Sequence, residues 1–546
     1  MDKSLKDGVR ALSLANLCLI PAWRSILDPA SANFYYHLKQ SPRWAELAAI
    51  SLNLLLVAAL FRLGIHLVRK SGRPSAFNFA RYAFILVFLI PLNHFRSQFT
   101  LLPRDRMVEK LGWTGFLALA MLLILCAVFL VKRIGLPRVS KVVSTLVLIL
   151  SPFLFISFAQ AVWLTVKYDS AVWTNKPLAA AHPRPGQTRV VWLVFDELDY
   201  GLAFDARPQA LALPELDRLR SEAFFASHAY PPASMTILSM PALINGKLVS
   251  SAQPTGPDRL FIRFDGQTEP VDWSLQPNIF TVAHAEGHNT AILGWFHPYC
   301  RLFSEVFTTC YWDTSHAVDP DRMGILSNMR RQARLSFIEI ATPLKLLFPD
   351  QPEELRMSFK KAQLASYREL LQQARNAIAD ERLDLILVHM SIPHPPNVYD
   401  RRKGELSLES SASYLDSLAL VDRTIGELRR QMESAGTWEQ TTLLITSDHW
   451  FRKDQLRHTL RRTLKQQGPE QYQLLMDNSI DHRVPFILKM PGQRAGVNYE
   501  PAFNNVLSQD LLLAILRGEL NEAESLAGWL DGHRSIAESP DTKNSP

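Results

Sequence analysis

The sequence has no arginine-rich stretch with interleaved aromatic residues, and this absence excludes the usual signature of a nucleic-acid-binding protein. It has only four cysteines among 546 residues, and we find no internal repeat. The net charge of +7 fits basic loops beside a membrane, because Lys and Arg are attracted to anionic lipid head groups. We therefore expect a lipid bilayer as a partner and no nucleic acid.

The first third of the chain also has little charge. Trp113–Val131 and Val142–Val166 contain no charged residue, and each is long enough to cross a hydrocarbon core, which needs about 20 apolar residues. Leu47–Val68 and Tyr82–Phe95 are two further predicted spans. Ala11–Trp23 is the fifth, because it lacks the small-residue cleavage site of a signal peptide. An interfacial or signal-like segment remains the alternative for Ala11–Trp23.

Basic residues predict the orientation of these five spans. Three groups would lie in the cytoplasm: Lys3, Lys6 and Arg10; Arg69, Lys70, Arg73 and Arg81; Lys132, Arg133, Arg138 and Lys141. The positive-inside rule then places everything after Val166 outside the cytoplasm. The loop over residues 104–110 has the opposite bias, which two acidic residues partly neutralise.

The four cysteines agree with export. Cys18 and Cys126 fall in predicted spans, where they are expected to be apolar packing residues. Cys300 and Cys310 are the only pair in the rest of the chain. They are close enough in sequence for a disulfide that closes a small loop. The alternative is two unpaired thiols in a cytosolic domain.

The pattern changes after the last span. We expect a transmembrane domain over residues 1–166, a proline-containing linker over 167–187, an α/β domain over 188–531 and a disordered tail over 532–546. Short apolar runs in the α/β domain read as buried strands. These runs are Arg189–Phe195, Thr290–Phe296, Leu383–His389, Thr441–Ser447 and Val484–Met490. A helix over residues 415–432 lies between two of them, so a largely parallel sheet covered on both faces is predicted.

Residues of metal-ligand type stand at the ends of these strands. They are Asp196 and Glu197, His389 and His394, Asp448 and His449, and, just before a strand, His482. A lone acidic pair is usually a helix cap or a loop charge, and a lone histidine is usually structural. Ligand crevices of open α/β sheets lie beyond the carboxyl ends of the strands. The convergence therefore predicts a metal site.

A hydroxyl group is the predicted nucleophile. Thr236 follows Pro232 near the start of what reads as a short helix. The amides and dipole of a helix N-terminus can hold phosphoryl oxygens, and a bound cation would lower the pKa of the hydroxyl. Two alternatives stay open here: Ser234 is a rival nucleophile, and the other interpretation of Ser234 or Thr236 is an N-cap without a catalytic role.

These motifs together resemble the alkaline phosphatase superfamily over residues 189–490. The nearest resemblance is to sulfatase-like, membrane-anchored phosphoethanolamine transferases and lipoteichoic acid synthases. The acidic motif at Asp196–Gly201 resembles the first motif of sulfatases. Thr236–Pro241 is similar to the transferases' Thr-x-x-Ser-x-Pro nucleophile motif, which favours Thr236 over Ser234. The helix from Tyr414 and the strand ending in Ser-Asp-His are also similar.

The resemblance implies roles for the candidate residues. The implied ligands of a tightly bound Zn²⁺, or alternatively Mn²⁺, are Asp196, Glu197, Thr236, Asp448 and His449. The implied ligands of a second metal or of the substrate are His389, His394 and His482. His394 or His482 would also protonate the leaving group in the reaction that Thr236 begins.

The activity implied is transfer of a phospholipid head-group phosphoryl moiety, such as phosphoethanolamine, through a phospho-threonine onto an envelope glycan or lipid. The implied location is the bacterial inner membrane, with the catalytic domain on the periplasmic or extracellular side. A membrane-tethered phosphodiesterase, phosphatase or sulfatase-like hydrolase and a non-catalytic envelope protein are the alternatives. The chain departs from the families at Trp450, where glycine is usual, and at Ala242, where the transferases have cysteine. The sulfatase signature Cys-x-Pro-x-Arg is absent, which argues against formylglycine-dependent sulfate hydrolysis.

Overall fold

The computed structural model describes residues 3–27, 36–37, 44–99, most of 111–169, 178–180, 188–303, 305–314, 324–337, 352–409, 411–459, 468–477 and 479–534. Cys126, parts of the predicted span Trp113–Val131, most of the predicted linker and residues 535–546 of the predicted tail lie outside this description. The chain divides into two compact units. Unit 1 covers Met1–Ser31, Gln40–Val172 and Asp319–Gln351; unit 2 covers the remainder.

Unit 1 is helical. Its helices are Lys3–Cys18, Ile20–Leu27, Trp44–Ser71, Pro74–Phe99, Leu136–Ile149, Pro152–Asp169 and Ile325–Phe337. Among the described residues, three stretches are long and apolar enough to cross a membrane: Trp44–Ser71, Pro74–Phe95 and Leu136–Val166. They coincide with three of the five predicted spans. The predicted first span, Ala11–Trp23, is divided between two helices.

The helix Ile325–Phe337 joins unit 1 although it follows part of the sheet in sequence. Asn53 Nδ2 donates a 3.1 Å hydrogen bond to Gln332 Oε1, and Gln332 Nε2 donates a 2.9 Å bond to the carbonyl oxygen of Glu46. Arg331 forms an ion pair with the buried Glu46 carboxylate. The polar face of this helix therefore satisfies polar groups that apolar helices would otherwise leave buried and unpaired.

Unit 2 is built on a nine-stranded sheet with the order β13-β2-β12-β11-β1-β8-β6-β7, where β14 also pairs with β2. The strands of this sheet are β1 (Arg189–Asp196), β2 (Phe224–Tyr230), β6 (Thr290–Trp295), β7 (Thr309–Asp313), β8 (Leu385–Pro393), β11 (Thr441–Ser447), β12 (Val484–Lys489), β13 (Val497–Tyr499) and β14 (Phe503–Asn504). Two small sheets contain β3 (Val249–Gly256), β4 (Arg259–Phe264) and β5 (Val271–Asp272), and β9 (Tyr399–Asp400) with β10 (Glu405–Leu406).

Helices cover both faces of the large sheet. The helices of unit 2 are Tyr200–Ala203, Pro214–Glu222, Thr236–Asn245, Ile279–Ala285, Tyr299–Leu302, Pro352–Ala379, Tyr414–Ser434, Lys453–Thr459, Pro469–Met476, Ser508–Leu516 and Ala523–His533. All eight residues of β1 are buried, and its alternate side chains enter two different hydrophobic clusters. The α/β class with a mostly parallel, doubly covered sheet is confirmed.

The strand directions bring the candidate residues to one edge. β1 pairs in parallel with β11 and β8, so the chain leaves these three strands at the same edge. β12 runs antiparallel to β11, and therefore its beginning, after His482, lies toward that edge. The largest difference from the predicted strand bounds is in β8, which continues through Pro393, so His389 lies within the strand rather than at its end. The ends of β1, β6 and β12 differ from the prediction by one residue each.

Cys300 and Cys310 form a disulfide, with an S–S distance of 2.05 Å. The predicted pairing is confirmed. Cys300 belongs to the short helix after β6, and Cys310 lies in β7. The bridge thus fastens the connection between two neighbouring parallel strands. Cys18 is a buried free thiol in unit 1, as expected for an apolar packing residue.

Candidate active site

The end of β1 supplies the first carboxylate. Asp196 is fully buried, and its Oδ2 accepts a 2.7 Å hydrogen bond from the indole Nε1 of Trp295 at the end of β6. Its other oxygen, Oδ1, has no hydrogen-bond partner among the described residues. One half of the carboxylate is therefore fixed by the scaffold, and the other half is available to a ligand.

The end of β11 supplies a second carboxylate in the same way. Asp448 Oδ1 accepts hydrogen bonds from the amides of Glu197 (3.2 Å) and His449 (2.8 Å). Asp448 Oδ2 is buried and, within the described parts of the chain, has no partner. The Ser447 hydroxyl bonds to the carbonyl of Phe195 at 2.7 Å and receives the amide of Leu198 at 2.8 Å. These bonds tie the ends of β1 and β11 together.

The imidazole of His449 completes the group. Its Nδ1 lies 3.0 Å from the carbonyl oxygen of Trp450. Because a carbonyl can only accept, Nδ1 carries the proton and the lone pair is on Nε2. That Nε2 lies 3.4 Å from Asp196 Oδ1 and 3.5 Å from Asp448 Oδ2. A histidine held in this tautomer by a backbone carbonyl is the usual arrangement of a metal ligand.

Thr236 brings a hydroxyl to the same place. It is the first residue of the helix Thr236–Asn245, and its Oγ1 lies 3.2 Å from His449 Nε2. The helix begins four residues after Pro232, later than the sequence suggested. Its N-cap is Met235, with no side-chain cap bond, so neither Ser234 nor Thr236 acts as the cap. Thr236 thus stands at the end of the helix where the first amides lack an acceptor one turn back, and the bonds to the Met235 carbonyl begin only with the amides of Leu238 and Ser239.

Burial controls the electrostatics of the group. Burial raises the pKa of Asp196, and the nearby charge of Glu197 raises it further. The pKa of Asp448 is raised well above its ordinary value by burial and then by Asp196. Burial, followed by the charge of Arg452, lowers the pKa of His449 well below its ordinary value. Two buried carboxylates lie beside a neutral imidazole, and the nearby positive charge of Arg452 is already paired with Glu197.

A divalent cation fits this deficit. Ligand atoms of Asp196, Asp448 and His449 all lie within 4.8 Å of one another. Two carboxylate oxygens and an imidazole nitrogen suit zinc, and also manganese, and three protein ligands leave a coordination position for a hydroxyl group or a substrate. The two carboxylate oxygens without partners are the ones that face the group. The family-based expectation of a metal is thus supported by the donor set itself.

Glu197 takes a different place from the one predicted. Its carboxylate Oε1 lies 2.9 Å from Nε and 2.8 Å from Nη2 of Arg452, and it is not among the converging ligand atoms. Glu197 has a φ of 68°, an unusual conformation for a side chain larger than glycine. This turn directs Asp196 into the group and Glu197 toward the arginine. The geometry therefore favours Asp196 as the acidic ligand from β1.

The three histidines predicted for a second metal or the substrate are placed less closely. His389 is fully buried, its Nδ1 lies 3.1 Å from the Tyr299 hydroxyl, and its Nε2 has no partner in the described structure. The Nδ1 of His394 lies 2.6 Å from the carbonyl oxygen of Pro395. The described residues contain no group of three ligand atoms that includes these histidines, so their roles stay predictions.

His482 meets the residue that replaces the families' glycine. The ring of His482 and the indole of Trp450 have centroids 4.4 Å apart and are tilted by 43°. Trp450 also provides the carbonyl that fixes the tautomer of His449. The departure at Trp450 therefore adds an aromatic wall beside His482 and leaves the ligand set intact.

Several residues of the site escaped the sequence reasoning. Trp295 holds Asp196, Arg452 pairs with Glu197, and the Tyr414 hydroxyl donates to the carbonyl of Glu197. His297 Nε2 lies 3.2 Å from the carbonyl oxygen of Thr236. The sequence could have indicated Arg452 as a partner of the acidic pair, because it is a cation four residues after Asp448. Trp295 and His297 carry no motif that separates them from core residues.

Comparisons with known proteins agree with this architecture. The family model described as Sulfatase matches residues 188–517. A search of curated protein sequences finds no match. An alkaline phosphatase superfamily protein from Vibrio parahaemolyticus is 12% identical, with a TM-score of 0.37, over 62% of this chain and 68% of that chain.

Two other solved structures have similar identities, TM-scores and coverage. The lipoteichoic acid synthase LtaP from Listeria monocytogenes is 14% identical, with a TM-score of 0.35, over 62% of this chain and 75% of that chain. A phosphonate monoester hydrolase of Agrobacterium radiobacter is 13% identical, with a TM-score of 0.36, over 60% of this chain and 74% of that chain. The match of the family model spans more than half of the chain and includes the residues of the strand-end site. The chain belongs to the sulfatase family.

Proposed function

We propose that the chain is a membrane-anchored, metal-dependent phosphotransferase. It moves a phospholipid head-group phosphoryl moiety, such as phosphoethanolamine, through a covalent phospho-Thr236 onto an envelope glycan or lipid. The observation that carries this proposal is the placement of the Thr236 hydroxyl 3.2 Å from His449 Nε2, inside the group of buried carboxylates. The helix N-terminus at the same residue offers amides to phosphoryl oxygens.

The bound cation would be held by Asp196, Asp448 and His449, with the Thr236 hydroxyl in reach. When bound, it would supply positive charge that stabilises the threonine alkoxide and the phosphoryl oxygens. The protein's own part is positioning: Trp295 and two backbone amides fix the carboxylates, and the Trp450 carbonyl fixes the imidazole. Displacements at phosphorus depend mainly on such positioning and charge stabilisation.

In the first step Thr236 Oγ1 gives its proton to solvent and forms a bond to phosphorus, while the bond from phosphorus to the glyceride oxygen breaks. The glyceride oxygen takes a proton and leaves as diacylglycerol. His394 is a candidate donor in its imidazolium form: its Nδ1 donates to the carbonyl of Pro395, and the proton on Nε2 would be the one transferred. In the second step an acceptor oxygen attacks phosphorus and gives its proton to the now neutral His394. The bond from phosphorus to Thr236 Oγ1 breaks, and Oγ1 takes a proton from solvent, which restores the hydroxyl.

The location belongs to the same proposal. Three stretches of unit 1 are long and apolar enough to cross a membrane, and the basic residues favour a catalytic unit outside the cytoplasm. The disulfide supports an oxidising compartment, since disulfides persist there and are rare in the cytosol. A bacterial inner-membrane protein with its catalytic unit on the periplasmic side accounts for all three observations, with zinc as the expected metal.

Transfer and hydrolysis use the same residues and differ only in the final acceptor. The test uses the full chain in detergent with zinc and phosphatidylethanolamine that carries a labelled head group. We expect diacylglycerol to be released together with label on the protein, and label to move to an added lipid or glycan acceptor. Release of free phosphoethanolamine alone, unchanged by acceptors, would identify a phosphodiesterase. No diacylglycerol release from any phospholipid would contradict both activities.

A further inference from the structure

A segment distant in sequence enters the catalytic unit. Tyr36 and His37 lie between two helices of unit 1 in the sequence, yet they belong to unit 2 in the fold. Tyr36 is fully buried and is part of the hydrophobic cluster on one face of the sheet. The family match begins at residue 188, so these two residues lie far outside the region that the family shares.

Consecutive residues of this segment bind consecutive residues after β6. The Tyr36 hydroxyl lies 2.6 Å from Nδ1 of His297. His37 Nδ1 lies 3.0 Å from the carbonyl oxygen of Phe296, which has a φ of 73°. Arg301 Nη2 donates a 3.0 Å bond to the carbonyl of Tyr36. Three polar contacts and a buried phenol ring therefore hold this segment against the residues that follow β6.

The direction of each proton follows from the partners. The Thr236 carbonyl, 3.2 Å from His297 Nε2, can only accept. In the neutral ring, Nε2 therefore carries the proton and Nδ1 is the acceptor, so the Tyr36 hydroxyl must donate. The rings of Trp273 and Tyr299, with centroids 5.1 and 5.5 Å from that of His297, enclose the imidazole. The chain of bonds runs from Tyr36 through His297 to the backbone of Thr236.

We propose that Tyr36 is a positioning residue of the active site, which holds His297 in the tautomer that anchors the backbone of the nucleophile Thr236. Without the phenol hydroxyl, Nδ1 would be a buried acceptor with no donor in this contact. A switch to the other tautomer would turn the Nε2 lone pair toward the Thr236 carbonyl. Either outcome shifts the first turn of the helix and with it Oγ1.

The role of Thr236 in this inference rests on the proposed function, and the test separates the two. It compares Tyr36→Phe with Tyr367→Phe in the full chain in detergent. Tyr367 is a matched control: its buried hydroxyl also has one partner, Thr424 Oγ1 at 2.9 Å, on the helices of unit 2 away from the ligand group. The probes are bis(4-nitrophenyl) phosphate for turnover and Zn²⁺ alone for binding.

We expect both variants to lower Tm similarly and only Tyr36→Phe to lower kcat, by about ten- to a hundredfold, with KM nearly unchanged, since small misplacements of reacting groups have effects of this size. The Kd for Zn²⁺ should rise severalfold in Tyr36→Phe only. Adding Tyr36→Phe to His297→Gln should reduce kcat little further, because coupled residues are not additive.

The outcomes distinguish the positioning role of Tyr36 from the proposed function. If Tyr36→Phe matches Tyr367→Phe in kcat and in Zn²⁺ affinity, or if its effect multiplies with that of His297→Gln, the positioning role is wrong. If the unmodified chain does not turn over the phosphodiester while Tyr36→Phe still weakens Zn²⁺ binding, the positioning role stands and the proposed function fails.

Discussion

The leucines of helix Trp44–Ser71 and the leucines of the central sheet lie in opposite environments. Leu55, Leu56 and Leu60 are 59%, 53% and 58% exposed, whereas Leu193, Leu387 and Leu444 are fully buried. An apolar surface of this extent is costly in water and favourable in lipid. The two units therefore place the same residue type differently: unit 1 exposes leucines along a stretch long and apolar enough to cross a membrane, and unit 2 buries them in its core.

Buried charge separates the units as well. In unit 1 the buried Glu46 is paired with Arg331. In unit 2, Asp196 Oδ1 and Asp448 Oδ2 both lie near His449 Nε2. Neither oxygen has a hydrogen-bond partner among the described residues. A buried carboxylate without a partner is expensive. The difference is that a protein cation pairs with the buried carboxylate of unit 1, whereas a metal cation would have to do so for the two carboxylates of unit 2.

The largest effect is expected when that cation site is broken. Asp196→Ala and Asp448→Ala should each abolish Zn²⁺ binding under conditions where the unchanged chain binds one equivalent, because each removes one of three ligand groups. The measurement is metal content after dialysis, by mass spectrometry of the metal. Turnover should fall with the metal.

Two other carboxylates serve as matched controls for this prediction. Glu46→Gln alters a buried carboxylate of unit 1 and should leave metal content unchanged. Glu197→Gln should also keep the metal, since Glu197 pairs with Arg452. Loss of zinc from Glu197→Gln, with retention in Asp196→Ala, would reverse our assignment of the ligand from β1.

The different solvents predict a contrast between two exposed leucines. Leu56→Arg, in the middle of helix Trp44–Ser71, should disfavour membrane insertion by about 2.5–3.5 kcal/mol. Leu275→Arg, in unit 2 at a position 78% exposed, should change stability by less than about 0.5 kcal/mol. The fraction of chain recovered in washed membranes measures the first effect and thermal unfolding the second. Equal tolerance of both substitutions would remove the basis for the comparison.

The disulfide gives a smaller effect that is confined to unit 2. Replacing Cys300 and Cys310 together by alanine should destabilise unit 2 by about 2–3 kcal/mol, as expected for a short closed loop. Cys18→Ala, at the free thiol of unit 1, is the control and should leave the unfolding of unit 2 unchanged. In freshly purified protein, Cys300 and Cys310 should resist alkylation until a reductant is added. Ready alkylation would show that the chain keeps them reduced.

The sheet was predictable because its strands are continuous apolar runs with a clear beginning and end. The β11 strand has the predicted bounds, Thr441–Ser447, and the parallel pairing of β1 with β11 brings Asp196 and Asp448 together as strand-end logic requires. In unit 1, hydropathy predicted three of the apolar stretches for the same reason. Long apolar runs can therefore be assigned to strands or spans from the sequence alone.

The remaining features depend on single residues or on distant ones. The positive φ of Glu197 decides which of Asp196 and Glu197 points toward the other metal-ligand candidates. Residue propensities do not predict a positive φ at a glutamate. The helix at Thr236 begins after Met235, because the tertiary fold, rather than Pro232, sets its start. Tyr36 reaches the site from a segment that carries no motif, so only coordinates connect it with His297.

The central claim, a covalent phospho-Thr236, is open to one direct measurement. The full chain with zinc is mixed with a phosphatidylethanolamine donor, quenched in acid and digested, and the peptide containing residues 234–236 is analysed by fragmentation mass spectrometry. We predict a phosphoethanolamine adduct on Thr236, its absence in Thr236→Ala, and its retention in Ser234→Ala, since Ser234 has no capping role. An adduct on Ser234, or full turnover by Thr236→Ala, would contradict the account.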